Sequence, residues 1–366
     1  MKLKQVSTKD YKEIKKLFKR NNNKMITFKR WINLWKKNPS LKNNKIKWIK
    51  GWKIEKNKKI VGHIGSFPMQ YFLNKKRFLC SVLQGWIVDK QFRNQSILLL
   101  KKYFSQSNVD FFLGTALNEK SSKIMKMIKV KEVPVESLNY SLVIALNLPN
   151  IINYFLRNKS FPLKKFFLNF FSLVLLLFFK KKINYWKNKF SIKNIVQYKE
   201  IDEKFNLLWI RIKNSQKNKL LLQRDKNWLK WHLDYFIKSK KAWIYLSIKN
   251  GKINGYTICI EKNNLKTKIK SALLIDLITF HESSKTSKDL IGANIAEAER
   301  RSCDIFEFRG FNSKKISYMK FFKPFKKKLP NNPFCYISNN KKLNKLLSQS
   351  KYWCPSYLDG DAIVAL

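Results

Sequence analysis

The junction between an apolar strand and an apolar helix at residues 88–97 carries the residue types best suited to holding an anion. Its sequence is VDKQFRNQSI. The first turn of a helix presents unpaired backbone N–H groups and the positive end of the helix dipole, and both attract phosphate groups. Arg93 adds a positive charge, and the small Ser96 allows close approach, whereas Leu98 crowds it. The segment therefore indicates a site for a phosphate-bearing ligand.

Three acidic positions could move a proton or hold a cationic substrate. Asp276 interrupts the apolar strand predicted at Ala272–Ile278, where a carboxylate could deprotonate an amine or could be a structural acid bonded to its neighbours. Asp89 could act as a base or cap the helix that follows. The acidic turn at 359–361 could bind a cationic group or could be a plain turn. Asp276 and Asp89 are the predicted catalytic residues.

The histidines and cysteines argue against metal and disulfide chemistry. The three histidines share no metal-ligand spacing, and the five cysteines are widely separated without a CxxC pair. We therefore predict no metal site and no disulfide framework, which fits a reducing cytoplasm. The N-terminus lacks the apolar run of a signal peptide. These residues are His63, His232, His281, Cys80, Cys259, Cys303, Cys335 and Cys354.

Positive charge is spread along the entire chain. There are 77 Lys and Arg residues against 23 Asp and Glu, a net charge of +54. Such a surface favours anionic ligands, including coenzyme A phosphates, tRNA and membrane lipids. However, the lysines accompany abundant Asn, Ile and Phe, so a codon bias toward A and T explains the excess as well. The charge alone predicts no specific nucleic-acid partner.

Hydrophobic periodicity predicts the elements that position the candidate residues. The alternation of helices and strands indicates an α/β (α+β) layer architecture. The predicted order is helices between Thr8 and about Lys37, three antiparallel strands between Ile54 and Val88, a helix at Ser96–Phe104, a buried strand at Val109–Ala116 and a helix at Lys120–Ile128.

Internal sequence matches predict that this unit is duplicated. Three sets of residues recur in the same order about one domain length apart. We therefore predict two domains, residues 1–148 and 195–366, joined by a linker at 149–194. The sets pair Asn57, Lys59, Ile60 and Gly62 with Asn250, Lys252, Ile253 and Gly255; Asp110, Phe112, Asn118 and Met125 with Asp304, Phe306, Asn312 and Met319; and Trp31 and Trp35 with Trp228 and Trp231.

The linker contains an apolar, aromatic run at Phe166–Phe179 between clusters of lysine. This run is shorter than the roughly 20 residues that a membrane-spanning helix needs. Segment 161–190 could lie on an anionic membrane surface, or could form a helix buried between the domains. The first interpretation would place a cytoplasmic protein at the inner face of the membrane.

Residues 88–97 resemble the pyrophosphate-binding segment of the GNAT superfamily of acyl-CoA N-acyltransferases. In that superfamily, Arg or Gln is followed by two variable residues, Gly, one variable residue, and Gly or Ala. Arg93 matches the first position, but Ser96 and Leu98 replace the two small residues. Asn118 follows the next strand, where many GNAT enzymes carry an Asn that touches coenzyme A, and Met125 stands where a general-acid Tyr is common. The resemblance implies cofactor contacts from Val88, Arg93, Asn94, Gln95, Ser96, Ile97 and Asn118.

Nearly the whole chain looks like the tandem GNAT-like proteins found with bacterial surface-polysaccharide genes. The pair Arg224-Asp225, followed by Trp228 and Trp231, and Trp353 ahead of the closing Asp-Gly-Asp carry this likeness. It implies two domains, each with a mixed, mostly antiparallel sheet flanked by helices. It also implies an acyl-CoA co-substrate such as acetyl-CoA, no metal, and an amine acceptor on a small molecule or sugar, bound between the copies.

Two other functions remain open. A Fem-type transferase duplicates the same fold but takes aminoacyl-tRNA as donor and a cell-wall precursor at the membrane as acceptor. The charge and the linker favour it, whereas the sustained apolar heptads of a coiled-coil arm are missing. A non-catalytic GNAT-fold binding protein is the third interpretation, because the glycines and the tyrosine acid of the superfamily pattern are lost.

Overall fold

The structure is a computed structural model that describes residues 1–42, 47–115, 117–156, 194–264, 266–329 and 333–364. Most of the predicted linker, including segment 161–190 with its expected membrane contact, lies outside these ranges. None of the helices within them combines the length and apolar character that a membrane crossing requires. Among the same residues, no three His, Cys, Asp or Glu side chains come together as a metal site would need.

The first sheet is mixed and mostly antiparallel, in the order β1-β2-β3-β4-β5-β15-β6, with β9 added beside β3. Its one parallel pair among the described strands is β4 with β5. The long strand β3 is buried along nearly all its length, as expected for a strand covered on both faces. The strands are β1 Lys2–Gln5, β2 Gly51–Lys56, β3 Lys59–Leu73, β4 Lys76–Val88, β5 Phe111–Gly114, β6 Lys131–Glu132, β9 Leu221–Leu222 and β15 Cys335–Ile337.

The second sheet repeats this plan in the order β14-β7-β13-β12-β11-β10-β8. Again one described pair, β12 with β13, is parallel. The predicted α/β architecture with two mixed, mostly antiparallel sheets is confirmed. The strands are β7 Tyr140–Ala145, β8 Ile195–Tyr198, β10 Ala242–Lys249, β11 Lys252–Asn263, β12 Lys270–Thr279, β13 Ile305–Arg309 and β14 Phe325–Lys328.

Helices flank both sheets and carry apolar residues at helical spacing toward them. In α1, for example, Ile14, Leu17 and Phe18 are buried. The helices of the described residues are α1 Tyr11–Arg20, α2 Phe28–Lys36, α3 Pro39–Lys42, α4 Ser96–Phe104, α5 Glu119–Met127, α6 Leu148–Leu156, α7 Glu203–Ser215, α8 Lys226–Lys238, α9 Ser284–Arg300, α10 Ser313–Lys320 and α11 Lys341–Leu347.

The matched residues of the two halves perform the same structural tasks. Asn57 and Asn250 both have positive φ in the tight turns that join β2 to β3 and β10 to β11. Asp110 accepts the Leu79 N–H at 2.6 Å and Asp304 accepts the Lys270 N–H at 2.8 Å, so each acid bonds the neighbouring strand one residue before the parallel register begins. Two of the recurring positions, the turn asparagine and the strand-bonding aspartate, thus have the same structural role in both halves.

The two halves exchange strands. β7 lies in the sequence before residue 149 but pairs with β13 and β14 in the second sheet. β15 lies near the end of the chain but pairs with β5 and β6 in the first sheet. Neither sheet is therefore built from one contiguous half of the sequence, and the exchange ties the last part of the chain to the first sheet.

A shared hydrophobic core joins the halves. One cluster contains residues from both, including Trp31, Tyr71, Trp228 and Trp353, while two smaller clusters cover the outer faces of the sheets. Trp231 Nε1 donates to the Asn33 carbonyl at 2.7 Å, which joins α8 to α2. Helices α2 and α8 consequently contact each other, and the recurring tryptophans Trp31, Trp35, Trp228 and Trp231 are buried core residues.

Candidate functional site

Strand β4 contains a bulge at Gly85. Gly62 pairs with Val88 and His63 with Ile87, but the next pair is Gly65 with Gln84. Two residues of β4 therefore oppose one residue of β3, which leaves an extra residue outside the ladder and re-aims the strand. The His63 Nδ1 donates to the Gly85 carbonyl at 2.8 Å. Burial lowers the pKa of His63 to about 4, so the ring that holds the bulge is neutral.

Two features favour glycine at position 85. Its φ is +63°, and an added Cβ would lie 2.7 Å from Phe18 Cζ. A side chain here would therefore be strained and would collide with α1. The bulge and the missing side chain keep open the space beside β4.

A cavity of about 490 Å³ occupies this space. Beyond Val82, β4 no longer pairs with β5, because their parallel register covers Cys80–Val82 and Phe111–Leu113. The end of β4 thus separates from the residues that follow β5. We call this space the β4 cavity; its walls include Gln84, Gly85, Trp86, Ile87, Leu117, Asn118, Thr27, Arg30, Asp361 and Val364.

Asp361 brings a carboxyl group to the β4 cavity from the end of the described chain. Its Oδ1 accepts the Thr115 hydroxyl at 2.8 Å, and its backbone N–H donates to Thr115 Oγ1 at 3.0 Å. Gly360 allows this approach, because it has a φ of +79° and a Cβ there would lie 2.2 Å from Thr115 Oγ1. Burial raises the pKa of Asp361 to about 6, against the opposing effect of the Thr115 bond. A carboxyl with this pKa can exchange a proton near neutral pH.

A buried polar network holds the turn that presents Asp361. The Tyr71 hydroxyl donates to Asp359 Oδ1 at 2.8 Å, and the Ser356 N–H donates to Oδ2 at 2.7 Å. Arg224 donates to Ser356 Oγ at 3.0 Å. Because Tyr71 belongs to β3 of the first sheet and Arg224 to the second half, the turn is anchored to both halves.

The predicted phosphate segment directly follows the cavity. Ile87 is a wall residue, and Val88, which is buried, ends β4. Residues Lys90–Gln95 form a short 3₁₀ turn before α4, so the helix begins at Ser96. Arg93, Asn94 and Ile97 are exposed, while Gln95 is half-buried and Ser96 is buried. The turn therefore offers an exposed cation and a helix start beside the cavity.

Asn118 lies at the β4 cavity but already has a structural task. Its Oδ1 accepts the Ser121 N–H at 2.9 Å as the N-cap of α5. Asn312, its counterpart, caps α10 through the Lys315 N–H at 3.0 Å. Only the Asn118 side of the pair borders the cavity described here.

Two side chains donate hydrogen bonds to Asp89, one from the last residue of α1 and one from the residue that follows α1. Arg20 donates to its Oδ2 at 2.8 Å, and Asn21 donates to its Oδ1 at 2.7 Å. Its side chain forms no hydrogen bond that caps the following turn. An amine would have to displace Arg20 before Asp89 could accept a proton from it.

Asp276 lies in the interior of the second half. It is fully buried, and Arg224 Nε and the Tyr256 hydroxyl donate to its Oδ2 at 2.9 and 2.8 Å. These bonds are those of a structural acid, with an arginine 52 residues away and a tyrosine as the partners. The structure brings Asn118 to the β4 cavity and puts residues 88–97 beside it, but it does not bring Asp276 there.

Sequence reasoning missed the two glycines and the arginine that shape the cavity. Gly85 had a usable signal, because a glycine inside an apolar strand often marks a bulge. Gly360 sat within the acidic turn, whose neighbour Asp361 was noticed without a role in a cavity. Arg30 had no local signal, since its position depends on how α2 packs against the second half.

The arrangement is similar to solved N-acyltransferases. The chain matches Saccharomyces cerevisiae N-myristoyltransferase with bound myristoyl-CoA over 92% of its own length and 78% of that chain, with a TM-score of 0.54 and 15% identity. It matches a probable N-acyltransferase from Enterococcus faecalis over 96% and 73%, with a TM-score of 0.57 and 11% identity. A GCN5-related N-acetyltransferase from Kribbella flavida matches over 92% and 70%, with a TM-score of 0.55 and 8% identity.

Sequence comparisons add nothing to this likeness, because no protein-family model and no curated protein matches the chain. The two mixed, mostly antiparallel sheets flanked by helices nevertheless agree with the fold of these structural neighbours. The chain therefore has the GNAT-like fold of acyl-CoA N-acyltransferases, present in two halves.

Proposed function

We propose that this protein is an N-acyltransferase that moves an acyl group from acyl-CoA to an amine. The observation that carries the proposal is the β4 cavity, in which a glycine-lined strand bulge and the carboxyl of Asp361 border the same space. A thioester needs polar backbone groups near its carbonyl, and an attacking amine needs a base. The cavity has candidates for both.

The donor fits the first half. The thioester would lie along Gln84, Gly85 and Trp86, where the bulge leaves backbone outside the ladder. The coenzyme arm would pass Asn118, and the phosphates would meet Val88 and Arg93 to Ile97, at the start of α4. The thioester supplies an activated acyl group, and no metal is required by this chemistry.

Asp361 is the proposed base, in place of Asp89 and Asp276, which already have cation partners. The amine nitrogen would bond to the acyl carbon, the carbon–sulfur bond would break, and coenzyme A would leave as the thiolate, which would then take up the proton that Asp361 has received from the amine and become the thiol. The amine proton would pass to Asp361, whose pKa of about 6 leaves it ionised at neutral pH. Backbone N–H groups of the bulge would stabilise the charge that develops on the carbonyl oxygen.

The apolar space behind the cavity favours a short acyl group such as acetyl. A second hollow shares Leu83 and Leu117 with the β4 cavity, but its volume is about 10 Å³. That is about the room that one water molecule needs. A long acyl chain would have to displace the side chains that fill this region, whereas an acetyl group would not.

The setting of the reaction stays a prediction. We place the donor in residues 1–148 and the acceptor, an amine on a small molecule or sugar, against residues 195–366. A role in surface-polysaccharide synthesis, and contact of segment 161–190 with the inner face of the membrane, rest on the sequence alone.

Calorimetry tests the donor site. Acetyl-CoA should bind saturably at moderate salt and more tightly than myristoyl-CoA, and Arg93→Glu should weaken binding at least tenfold. Lys12→Glu makes the same charge reversal on exposed α1 and should have little effect, since salt screens distant charges. Equal weakening by both variants would mean that only net charge attracts the nucleotide, and the donor site would be rejected.

Release of the coenzyme A thiol, with a panel of amines, tests the base. Asp361→Asn should lower kcat/KM by roughly 10²–10⁴-fold while acetyl-CoA binding is retained. Because only ionised Asp361 accepts a proton, the wild-type rate should fall as the pH drops through about 6, and this acid limb should be absent from the variant. An unchanged rate and pH profile in Asp361→Asn would contradict its role.

A further inference from the structure

A second cavity, of about 560 Å³, lies between α2 and α8. We call it the helix cavity. Its apolar and aromatic walls come from both halves and from the end of the described chain. They include Leu34, Trp231, Tyr235, Phe236, Ile363 and Val364.

The two cavities share a wall. Thr27, Arg30 and Val364 border both the β4 cavity and the helix cavity. Arg30 Nη2 donates to the Val364 carbonyl at 2.9 Å, which fixes part of this wall. Since these three residues line both cavities, a molecule whose body lies in the helix cavity could pass them and present one end to the β4 cavity.

Arg30 places a positive charge in that wall. It is half-buried, and its guanidinium carbon lies 4.2 Å from the centre of the Tyr235 ring. Arginine has five N–H donors in a planar fork that suits carboxylate and phosphate groups. The Val364 carbonyl accepts from Nη2, and the fork has further N–H donors for an anion.

The charged residues that line the helix cavity are mostly positive. Lys29, Lys36 and Lys37 line it with Arg30, and its one lining acid, Asp234, is paired with Lys238 at 2.7 Å. Across the shared wall, Asp361 is the acid that lines the β4 cavity. The β4 cavity thus offers the carboxyl group of Asp361 to an amine, and the helix cavity offers positive side chains to an anionic group.

We propose that the acceptor is a small amine with a carboxylate or phosphate group close to its amino group and an apolar or aromatic body. The amino group would meet Asp361, the anionic group would meet Arg30, and the body would pack against Trp231, Tyr235 and Ile363. This assignment rests on the proposed function for its reaction, but the binding it requires does not depend on acyl transfer.

Four probes separate the groups of such a ligand. Phenylalanine has all three parts, and phenethylamine lacks the anion. The phosphonic acid analogue of phenylalanine carries a phosphonate group in place of the carboxylate. The fourth probe, 3-phenylpropionate, lacks the amine. Their binding to the full chain, measured by calorimetry without acyl-CoA, should show phenylalanine or its phosphonic analogue at least tenfold tighter than phenethylamine and 3-phenylpropionate. Which of phenylalanine and its phosphonic analogue binds more tightly shows whether the site prefers a carboxylate or a phosphate-like group.

Arg30→Gln should abolish the preference over phenethylamine, and Arg30→Lys should retain part of it as a charge without the fork. Lys12→Gln removes a charge from exposed α1, outside both cavities, and should leave the preference unchanged. If Arg30→Gln does not fold, Tyr235→Ala should weaken phenylalanine and its phosphonic analogue together.

The assignment would be overturned if phenethylamine binds as tightly as both phenylalanine and its phosphonic analogue, if no probe binds, or if the preference survives Arg30→Gln. If the preferred probe binds through Arg30 but is not acylated in the presence of acetyl-CoA, the binding assignment stands and the proposed function fails. The two proposals are thus separated by one set of protein variants.

Discussion

The two halves differ most informatively at one equivalent position of their central strands. Cys80 pairs with Phe111 and Ser271 pairs with Ile305 in the two parallel registers. Gly85 lies five residues after Cys80, and Asp276 lies five residues after Ser271. In the first half, glycine leaves a cavity beside the strand. In the second, a carboxylate points into the protein and is neutralised by Arg224.

The residues that face these two positions differ in the same way. His63 bonds the Gly85 carbonyl, whereas Tyr256, at the matching place in β11, donates to Asp276 itself. In the first half this side chain bonds the backbone of a strand bulge, and in the second half it bonds a buried carboxylate. The same architecture thus supports a candidate ligand site in one copy and an anchor for the C-terminal turn in the other.

The largest expected effect comes from breaking the buried pair of the second half. Asp276→Asn should lower the free energy of unfolding by about 3–5 kcal/mol, because it removes the anion that buried Arg224 contacts at 2.9 Å and leaves only the longer contact with Asp359 at 3.9 Å. Urea unfolding measures this loss. The matched change in the first half, Asp89→Asn, removes a partly exposed pair with Arg20 and should cost less than about 1 kcal/mol. Equal losses would mean that burial does not distinguish the two ion pairs.

A smaller loss is expected at the glycine of the first half. Gly85→Ala should destabilise the fold by roughly 1–2 kcal/mol through its positive φ, with about 1–3 kcal/mol more from the contact with Phe18. Gly251→Ala has a similar φ of +68°, but its Cβ would meet nothing within 4 Å. Thermal unfolding of both variants isolates the packing cost. Gly85→Ala should also weaken acetyl-CoA binding, and unchanged affinity would remove position 85 from the donor site.

The smallest effect separates the two equivalent helix caps. Asn118→Ala and Asn312→Ala should each lower stability by about 1 kcal/mol, because each removes the N-cap of a helix. Acetyl-CoA affinity should fall in Asn118→Ala alone, since that residue borders the β4 cavity. An equal fall in affinity in both variants would show that loss of a helix cap, and not contact with the β4 cavity, weakens binding.

Much of the fold could be predicted from short-range patterns. The strands from Gly51 to Val88 and the helices α4 and α5 follow alternating or helical spacing, and the Asn57 turn uses a residue that tolerates positive φ. The exchange of β7 and β15 could not be predicted in this way. Pairing partners are selected by which edges meet in space, and a strand's own sequence does not record them.

The candidate site shows the same division. The segment from Val88 to Ile97 was recognisable because a helix start and its anion-binding groups lie close together in sequence. The sequence predicts Asp276 as a candidate base because it is an acid in an apolar strand. However, Arg224, 52 residues away, donates to its carboxylate and makes it a structural residue. An acid in a strand has the same local pattern whether it faces a ligand or a buried cation.

By itself, the sequence determined the α/β character, the duplication, the turns and caps, and the likeness to acyl-CoA N-acyltransferases, because these depend on spacing and on hydrogen bonds between near neighbours. The tertiary structure decided which carboxylate reaches the β4 cavity. Asp361 meets Thr115 across 246 residues, through a turn held by both halves. Burial then raises the pKa of this one acid toward neutrality, and burial is a property of the packed molecule.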